Sequence, residues 1–93
     1  MNFKWDADKA NTNLAKHGLS FYQAVEIFAD TDRIVAIDSR YDYGEERFIT
    51  TGYIQGRLCV VIYTEHNDVV RIISARKANI REQKYHDDYQ KDH

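Results

Sequence analysis

Basic side chains, together with one tryptophan, are the groups of this chain best suited to chemistry. The planar guanidinium of an arginine donates paired hydrogen bonds to a phosphate, and an imidazole with an ordinary pKa of about 6.5 can move a proton at neutral pH. The candidates near the N-terminus are Trp5, Lys9, Lys16 and His17, and those in the second half are Arg47, Arg57, Arg71 and Arg76. These residue types make phosphate binding and proton transfer two chemistries open to the chain.

Each candidate also has an ordinary structural interpretation. An arginine on a half-buried strand can pair with an acidic side chain such as Glu45, Glu46 or Glu65. A histidine at the end of a helix commonly satisfies the last carbonyl groups, and Trp5 can pack the first helix onto a sheet. The sequence leaves both interpretations open for each residue.

Several other kinds of site have no signature in this sequence. The four histidines are scattered without metal-ligand spacing, and there is neither a glycine-rich phosphate loop nor a nucleophile elbow. Cys59 is the single cysteine and lies in an apolar run, which predicts a buried thiol instead of a disulfide or a nucleophile. We therefore expect no metal and no cofactor.

The charge balance gives no bulk argument for nucleic-acid binding. The chain has 13 Lys and Arg against 15 Asp and Glu, for a formal net charge of -2. The charge is unevenly distributed, however, because basic residues outnumber acidic ones between Arg47 and Lys84. The second half of the chain therefore remains locally suited to bind an anion.

The length and hydropathy pattern predict one domain, residues 1–93, in the cytoplasm. Ninety-three residues leave no room for a second hydrophobic core. No apolar run approaches the roughly 18 residues that a membrane span requires. The first residues also lack the basic and then apolar layout of a secretory signal. We therefore expect no membrane contact.

Capping residues predict two short helices before the sheet and one after it. Asp6 and Ser20 are suitable N-caps, because their side-chain oxygens can accept free amide protons of a first turn. They predict helices over about residues 7–17 and 21–29. A charged segment with helical spacing predicts a C-terminal helix over residues 77–89.

Strand-forming segments with short turns predict an antiparallel meander from about Arg47 to Arg76. A β-rich segment over 33–38 precedes it, followed by a polar loop over 39–44 that contains two tyrosines. Turns at Gln55-Gly56 and Asn67-Asp68 would join three consecutive strands. The predicted fold is α+β, with two short N-terminal helices, an antiparallel β-meander and a C-terminal helix.

Period-two alternation predicts which side chains share a face of the meander. On its second strand, Leu58, Val60, Ile62 and Thr64 are expected to face the core, opposite a face that begins with Arg57. On its last strand, strict alternation places Arg71 and Arg76 on opposite faces. Each face would therefore carry one of these two arginines.

The order of several short sequence motifs resembles the BrnT toxin family. In the first third, these motifs are Phe3-Lys4-Trp5-Asp6, Lys9, Asn13, Lys16-His17-Gly18, Ser20-Phe21, Ala24 and Phe28-Ala29-Asp30. In the rest they are Glu45-Glu46-Arg47, Gly52, Gly56-Arg57, Val60-Val61-Ile62-Tyr63-Thr64, Arg71-Ile72-Ile73-Ser74-Ala75-Arg76-Lys77, Arg81-Glu82 and Tyr85. The resemblance runs from residue 3 to residue 85, and the motifs are specific as a set.

The resemblance implies a bacterial type II toxin of RelE-like fold, the barnase or microbial-ribonuclease type, that cleaves RNA and inhibits translation. It also implies a cognate BrnA-like antitoxin with a ribbon-helix-helix DNA-binding domain, through which the complex would bind operator DNA and repress its own operon. Such cleavage needs activation of a ribose 2′-hydroxyl, stabilisation of the phosphorane charge and protonation of the leaving 5′-oxygen. We therefore expect a metal-independent endoribonuclease.

For this reaction the predicted catalytic residues are His17, Lys16, Arg57 and Arg76. Arg57 and Arg76 would hold the scissile phosphate, and His17 would transfer the proton, with Lys16 or Lys9 as alternatives. The predicted RNA-binding residues are Trp5, Lys9, Arg47 and Arg71. Trp5 would stack on a base. The alternative function is a non-catalytic module that uses the same sheet to bind an antitoxin and co-repress transcription.

Overall fold

The fold combines one sheet with three α-helices in the part of the chain that the computed structural model describes, residues 1–40, 42 and 44–92. The strands are β1 (Asn2–Lys4), β2 (Ile34–Asp38), β3 (Arg47–Ile54), β4 (Arg57–His66) and β5 (Val69–Lys77). The helices are α1 (Ala7–His17), α2 (Phe21–Ala24), which continues as a 3-10 helix over Val25–Ala29, and α3 (Ile80–Asp92). The predicted α+β class is confirmed.

The sheet has the strand order β1-β5-β4-β3-β2 and is mixed. β2 to β5 pair antiparallel, which confirms the meander, whereas β1 pairs parallel to β5 and was not predicted. Both predicted hairpin turns are present. Gln55 and Gly56 have φ angles of 51° and 79°, and Asn67 and Asp68 have 51° and 63°. Left-handed backbone at both central positions matches the twist of the flanking strands.

The helix boundaries follow from their caps. Asp6 Oδ1 accepts a hydrogen bond from Lys9 N at 3.0 Å at the start of α1, and Ser20 and Gln23 form a reciprocal capping box at the start of α2. α3 begins later than predicted because β5 extends to Lys77, and it ends at Asp92. None of the helices among the described residues is long and apolar enough to cross a membrane.

The larger hydrophobic core lies on the face of the sheet that the sequence had predicted to be the outer one. We call it the α1 face, defined on β4 by Cys59, Val61 and Tyr63, which pack with buried α2 residues such as Phe21. The opposite face, here called the α3 face, holds a smaller cluster around Leu58 and Val60 beside α3. The predicted burial of Leu58 and Val60 is confirmed, but the larger core lies on the opposite face. Helices cover apolar residues on both sides of the sheet, and alternation alone does not show which side holds the larger core.

A bulge in β5 changes which side chains share a face. Ile62 pairs with Ser74, whereas the next residue, Tyr63, pairs with Ile72, so one extra residue is accommodated on β5. Arg71, opposite Thr64, and Arg76, opposite Val60, consequently both lie on the α3 face. The prediction that these two arginines occupy opposite faces is wrong, because strict alternation fails across a bulge.

The structure describes part of the loop between β2 and β3. Residues 39, 40, 42 and 44–46 are described, and Asp42 Oδ1 accepts a hydrogen bond from Gly44 N at 3.0 Å. Tyr41 and Tyr43, the two tyrosines of the loop predicted over 39–44, lie outside the described residues. The loop brings Arg40 and Glu45 to the ends of the two strands that it joins.

Candidate active site

Three of the predicted site residues, Arg47, Arg71 and Arg76, lie on one surface. Arg71 and Arg76 share the α3 face through the bulge in β5, as described above. Arg47 lies at the start of β3, two residues before Ile49, whose partner on β4 is Ile62. Since side chains two residues apart on a strand share a face, Arg47 also lies on the α3 face.

Glu45 joins two of these arginines. Its Oε1 atom accepts a hydrogen bond from Arg71 Nη2 and lies 3.8 Å from Arg47 Nε. One carboxylate oxygen thus contacts two guanidinium groups that come from non-neighbouring strands. The Glu45 side chain is 40% exposed, so another anion can reach the position that it occupies.

Arg76 is paired with Glu82 from the first turn of α3. Arg76 Nη1 and Nη2 donate to Glu82 Oε1 and Oε2 at 2.7 and 2.9 Å, a bidentate pair. Glu82 Oε1 also accepts from Asn79 N at 2.9 Å, while Glu82 N donates to Asn79 Oδ1 at 2.8 Å. Glu82 therefore caps α3 and fixes the guanidinium of Arg76 at the same time.

The electrostatics of this pair follow from its geometry. The hydrogen bond from Arg76 lowers the pKa of Glu82, with partial burial acting in the opposite direction. The same bond raises the pKa of Arg76, while burial and the positive charge of Arg40 act to lower it. Arg40 therefore contributes to the positive charge around Arg76.

Arg40 is a residue of this surface that the sequence reasoning missed. Its Nε and Nη2 atoms donate to Asp38 Oδ1 and Oδ2 at 2.8 and 3.0 Å. The Asp38 side chain is completely buried, and Asp38 is opposite Arg47 in the pairing of β2 with β3. Arg40 belongs to a predicted loop, and the only signal for it in the sequence was the Asp38-x-Arg40 spacing, which permits a local ion pair.

We call this set the arginine cluster, and define it as Arg40, Arg47, Arg71 and Arg76 with their acidic partners Asp38, Glu45 and Glu82. The cluster combines four positive groups with three negative ones. A phosphate presents oxygen acceptors like those of a carboxylate, and can take its place opposite a guanidinium. The exposed carboxylate positions of the cluster, those of Glu45 and Glu82, can therefore bind a phosphate and stabilise negative charge that develops on it.

Arg57 leaves the sheet on the face opposite the arginine cluster. It pairs with Ile54 at the end of the β3–β4 hairpin and shares the α1 face with Cys59. Its Nη2 atom donates a long hydrogen bond to Ala78 O at 3.5 Å, and it lines a cavity of about 200 Å³ with Gly18 and Lys77 among others. Arg57 and Arg76 leave the sheet on opposite faces. Their guanidinium groups nevertheless donate to consecutive carbonyls, Arg57 Nη2 to Ala78 O and Arg76 Nη1 to Lys77 O at 3.4 Å.

The three basic residues predicted on the first helix are also distant from the arginine cluster. α1 packs against β5 on the α1 face, so the sheet lies between this helix and the cluster. Lys9 and Lys16 are exposed, and His17, the last residue of α1, is half-buried. The structure therefore groups none of the three with Arg47, Arg71 or Arg76.

Trp5 packs against aromatic residues of α2. Its ring makes edge-on contacts with Phe21, at a centroid distance of 6.1 Å, and with Tyr22, at 4.9 Å. Trp5 is half-buried and lies against the main core. This geometry is that of the structural interpretation, in which Trp5 fixes the start of the chain to α2.

Comparison with known families identifies the chain. The family model described as the ribonuclease toxin BrnT of type II toxin-antitoxin systems matches residues 5–82, a range that contains every residue of the arginine cluster. No individually curated protein matches this chain. The match covers well over half of the sequence and confirms the resemblance predicted from its motifs. The chain belongs to the BrnT family of ribonuclease toxins.

Proposed function

We propose that this protein cleaves RNA at the arginine cluster, without a metal ion, and thereby inhibits translation. The observation that carries the proposal is the convergence of Arg47 and Arg71 on Glu45, on the same face of the sheet as Arg76. A phosphodiester placed there would accept hydrogen bonds from several guanidinium groups at once. The reaction is limited to RNA, because the ribose 2′-hydroxyl serves as the nucleophile.

In this proposal the 2′-oxygen attacks the adjacent phosphorus, and the 5′-oxygen leaves and takes a proton from solvent water, which gives a 2′,3′-cyclic phosphate and a new 5′-hydroxyl. The guanidinium groups of Arg71 and Arg76 balance the additional charge of the phosphorane. Glu45, released from Arg71 when the phosphate binds, accepts the 2′-hydroxyl proton. It replaces His17 and Lys16 as our candidate for this step, because those residues lie on α1 across the sheet.

The proposed partner is a cognate BrnA-like antitoxin with a DNA-binding domain. The family description supports an antitoxin partner, and the resemblance supports repression of the operon through operator DNA. An antitoxin could block cleavage by inserting an acidic segment among the arginines, in the places that Glu45 and Glu82 occupy. We therefore expect RNA and antitoxin to compete for the arginine cluster.

The test is cleavage of single-stranded RNA by antitoxin-free protein in the presence of EDTA. Wild-type protein should cut, and Arg71→Ala and Arg76→Ala should each lose about 100-fold or more, the scale for removing one group that stabilises transition-state charge. Arg57→Ala is the matched control, because it removes an arginine from the other face and should retain activity. Intact RNA with the wild-type protein, or equal cleavage by the Arg76 variant, would overturn the proposal.

The alternative function, a non-catalytic module that binds an antitoxin and co-represses transcription, is favoured by one observation. Each arginine of the cluster already has a carboxylate partner, as expected of a purely structural ion-pair network. Expression without antitoxin distinguishes the two functions. A ribonuclease should arrest growth in the wild-type form and not as the Arg76→Ala variant, whereas a binding module should be tolerated in both forms.

A further inference from the structure

A cavity adjoins the arginine cluster between α3 and the strands β2 and β3. Its volume is about 330 Å³, near the lower end of the range for small-molecule sites. Its lining residues are Ile34, Thr51, Arg81, Glu82, Tyr85 and His86. Glu82 also binds the guanidinium of Arg76, so the cavity and the proposed phosphate site at Arg76 share this residue.

The walls of this cavity suit a flat aromatic ligand with a polar edge. Tyr85 is 66% exposed, and its ring lies nearly parallel to that of Tyr89, with an interplanar angle of 27° and a centroid distance of 6.5 Å. Ile34 supplies an apolar side, and Thr51 supplies a hydroxyl group. An exposed aromatic ring beside a small apolar pocket is a common stacking platform for the bases of single-stranded RNA.

His86 provides a second, independent indication of a ligand. The residue is only 2% exposed, and its Nδ1 atom has no hydrogen-bond partner among the described residues. Buried polar side-chain atoms nearly always have a partner, so an unpaired ring nitrogen next to a cavity is unusual. The edge of a nucleobase, which carries both donors and acceptors, can supply the missing hydrogen bond.

Arg81 supplies a positive charge at the cavity. Its side chain is exposed and forms no hydrogen bond or ion pair with other residues in the described ranges. This distinguishes it from the arginines of the cluster, which all have acidic partners. A phosphate next to a bound base would therefore meet a guanidinium that has no competing carboxylate.

We propose that this cavity is a base-binding subsite, which holds the nucleobase adjacent to the phosphate at Arg76 and so selects the cleavage position. Tyr85 stacks on the base, Thr51 and His86 hydrogen-bond to its edge, and Arg81 binds the neighbouring phosphate. This inference rests on the proposed ribonuclease function and adds sequence preference to it.

The first experiment measures cleavage-site preference on a random single-stranded RNA pool. Tyr85→Ala should reduce cutting at the preferred base by about tenfold and flatten the preference, whereas Tyr85→Phe should retain it. Arg81→Ala should weaken RNA binding without altering base preference, and Lys84→Ala, an exposed cation on the same helix outside the cavity, should change neither. An unchanged preference in Tyr85→Ala would overturn the subsite while leaving the ribonuclease function intact.

The second experiment does not depend on cleavage. Nucleoside 5′-monophosphates, or an oligonucleotide made uncleavable by 2′-deoxy substitution, are titrated into the wild-type protein, and the His86 and Tyr85 ring resonances are followed by NMR. Shifts at both rings that differ among the four bases support the subsite, even if the protein fails to cut RNA. The proposal is wrong if neither ring responds, or if both respond only when antitoxin is added, since the cavity would then belong to the protein partner.

Discussion

Asn13 should be among the most important residues for stability, although it lies on the opposite side of the sheet from the arginine cluster. The side chain is 7% exposed. Its Nδ2 atom donates to Leu19 O at 3.0 Å and to Ala75 O at 2.8 Å, and its Oδ1 atom accepts from Ala75 N at 3.1 Å. β1 pairs with residues 69–71 of β5, so Asn13 takes the place of a neighbouring strand at Ala75.

The expected cost of Asn13→Ala can be worked out from these three bonds. The substitution leaves Leu19 O, Ala75 O and Ala75 N without their partner, and each unsatisfied buried group costs about 1 to 3 kcal/mol before relaxation. Because water can enter the space and groups can shift, we expect a loss of about 3 kcal/mol in the free energy of unfolding. That is a large share of the roughly 5 to 14 kcal/mol typical of a chain of this length.

The assay is equilibrium unfolding in urea, followed by circular dichroism. Asn11→Ala is the matched control, since Asn11 is an exposed asparagine two residues away on the same helix and its replacement should change stability by less than about 0.5 kcal/mol. If Asn13→Ala costs no more than Asn11→Ala, the three bonds do not hold β5 in place and the reasoning fails.

The hydrogen bonds between Asn13 and Ala75 also have a consequence for function. Ala75 lies between the bulge in β5 and Arg76, and the bulge is what brings Arg71 and Arg76 onto one face. A variant that remains folded without these hydrogen bonds should therefore position Arg76 less accurately. We expect Asn13→Ala to lower RNA cleavage beyond the fraction that is unfolded, measured at a temperature where circular dichroism shows the variant to be fully folded.

Three further predictions concern stability and reactivity. Glu82→Gln should cost about 1 kcal/mol at pH 7 through the weakened cap and ion pair. Because the folded-state pKa of Glu82 is lowered, its contribution is present above the unfolded-state pKa of about 4.3 and is lost as the pH falls through the folded-state value, so urea unfolding of the two proteins should converge as the pH is lowered below that value. Gly52→Ala should cost about 1 to 3 kcal/mol in the same assay, since a Cβ there would lie 2.9 Å from the Cβ of Arg33, and wild-type stability would show that the backbone yields. Burial raises the pKa of the Cys59 thiol, so a thiol reagent should react with it slowly until urea unfolds the protein, whereas rapid reaction in the native state would contradict its burial.

Local chemistry made much of this fold predictable from the sequence. The caps at Asp6 and Ser20 and the turns at 55–56 and 67–68 depend on residues close together in the chain, and all four are present. The parallel pairing of β1 with β5 was not predictable in this way. It joins the N-terminus to residues 69–71, and a three-residue strand carries too little pattern to reveal a partner so far along the chain.

The candidate site shows where period-two reasoning stops. The residue types were sufficient to select Arg47, Arg71 and Arg76. Their common face depends on a bulge in β5, and no glycine or other turn-forming residue in the sequence indicates that bulge. Arg57 was grouped with them because its type and strand position looked equivalent. Successive side chains of a strand point to opposite faces, so an error of one residue in the register assigns an arginine to the wrong face of the sheet.

The acidic partners of the arginine cluster have a role in the proposed chemistry. Four guanidinium groups with no counter-charge would repel one another and spread apart in water, whereas Asp38, Glu45 and Glu82 hold them in fixed positions. The three partners differ in accessibility, because Asp38 is fully buried while the side chains of Glu45 and Glu82 are 40% and 30% exposed. A phosphate should therefore displace Glu45 or Glu82 and leave Asp38 in place beneath Arg40. The site would remain ordered before and after substrate binds, which is the condition for preorganised stabilisation of a transition state.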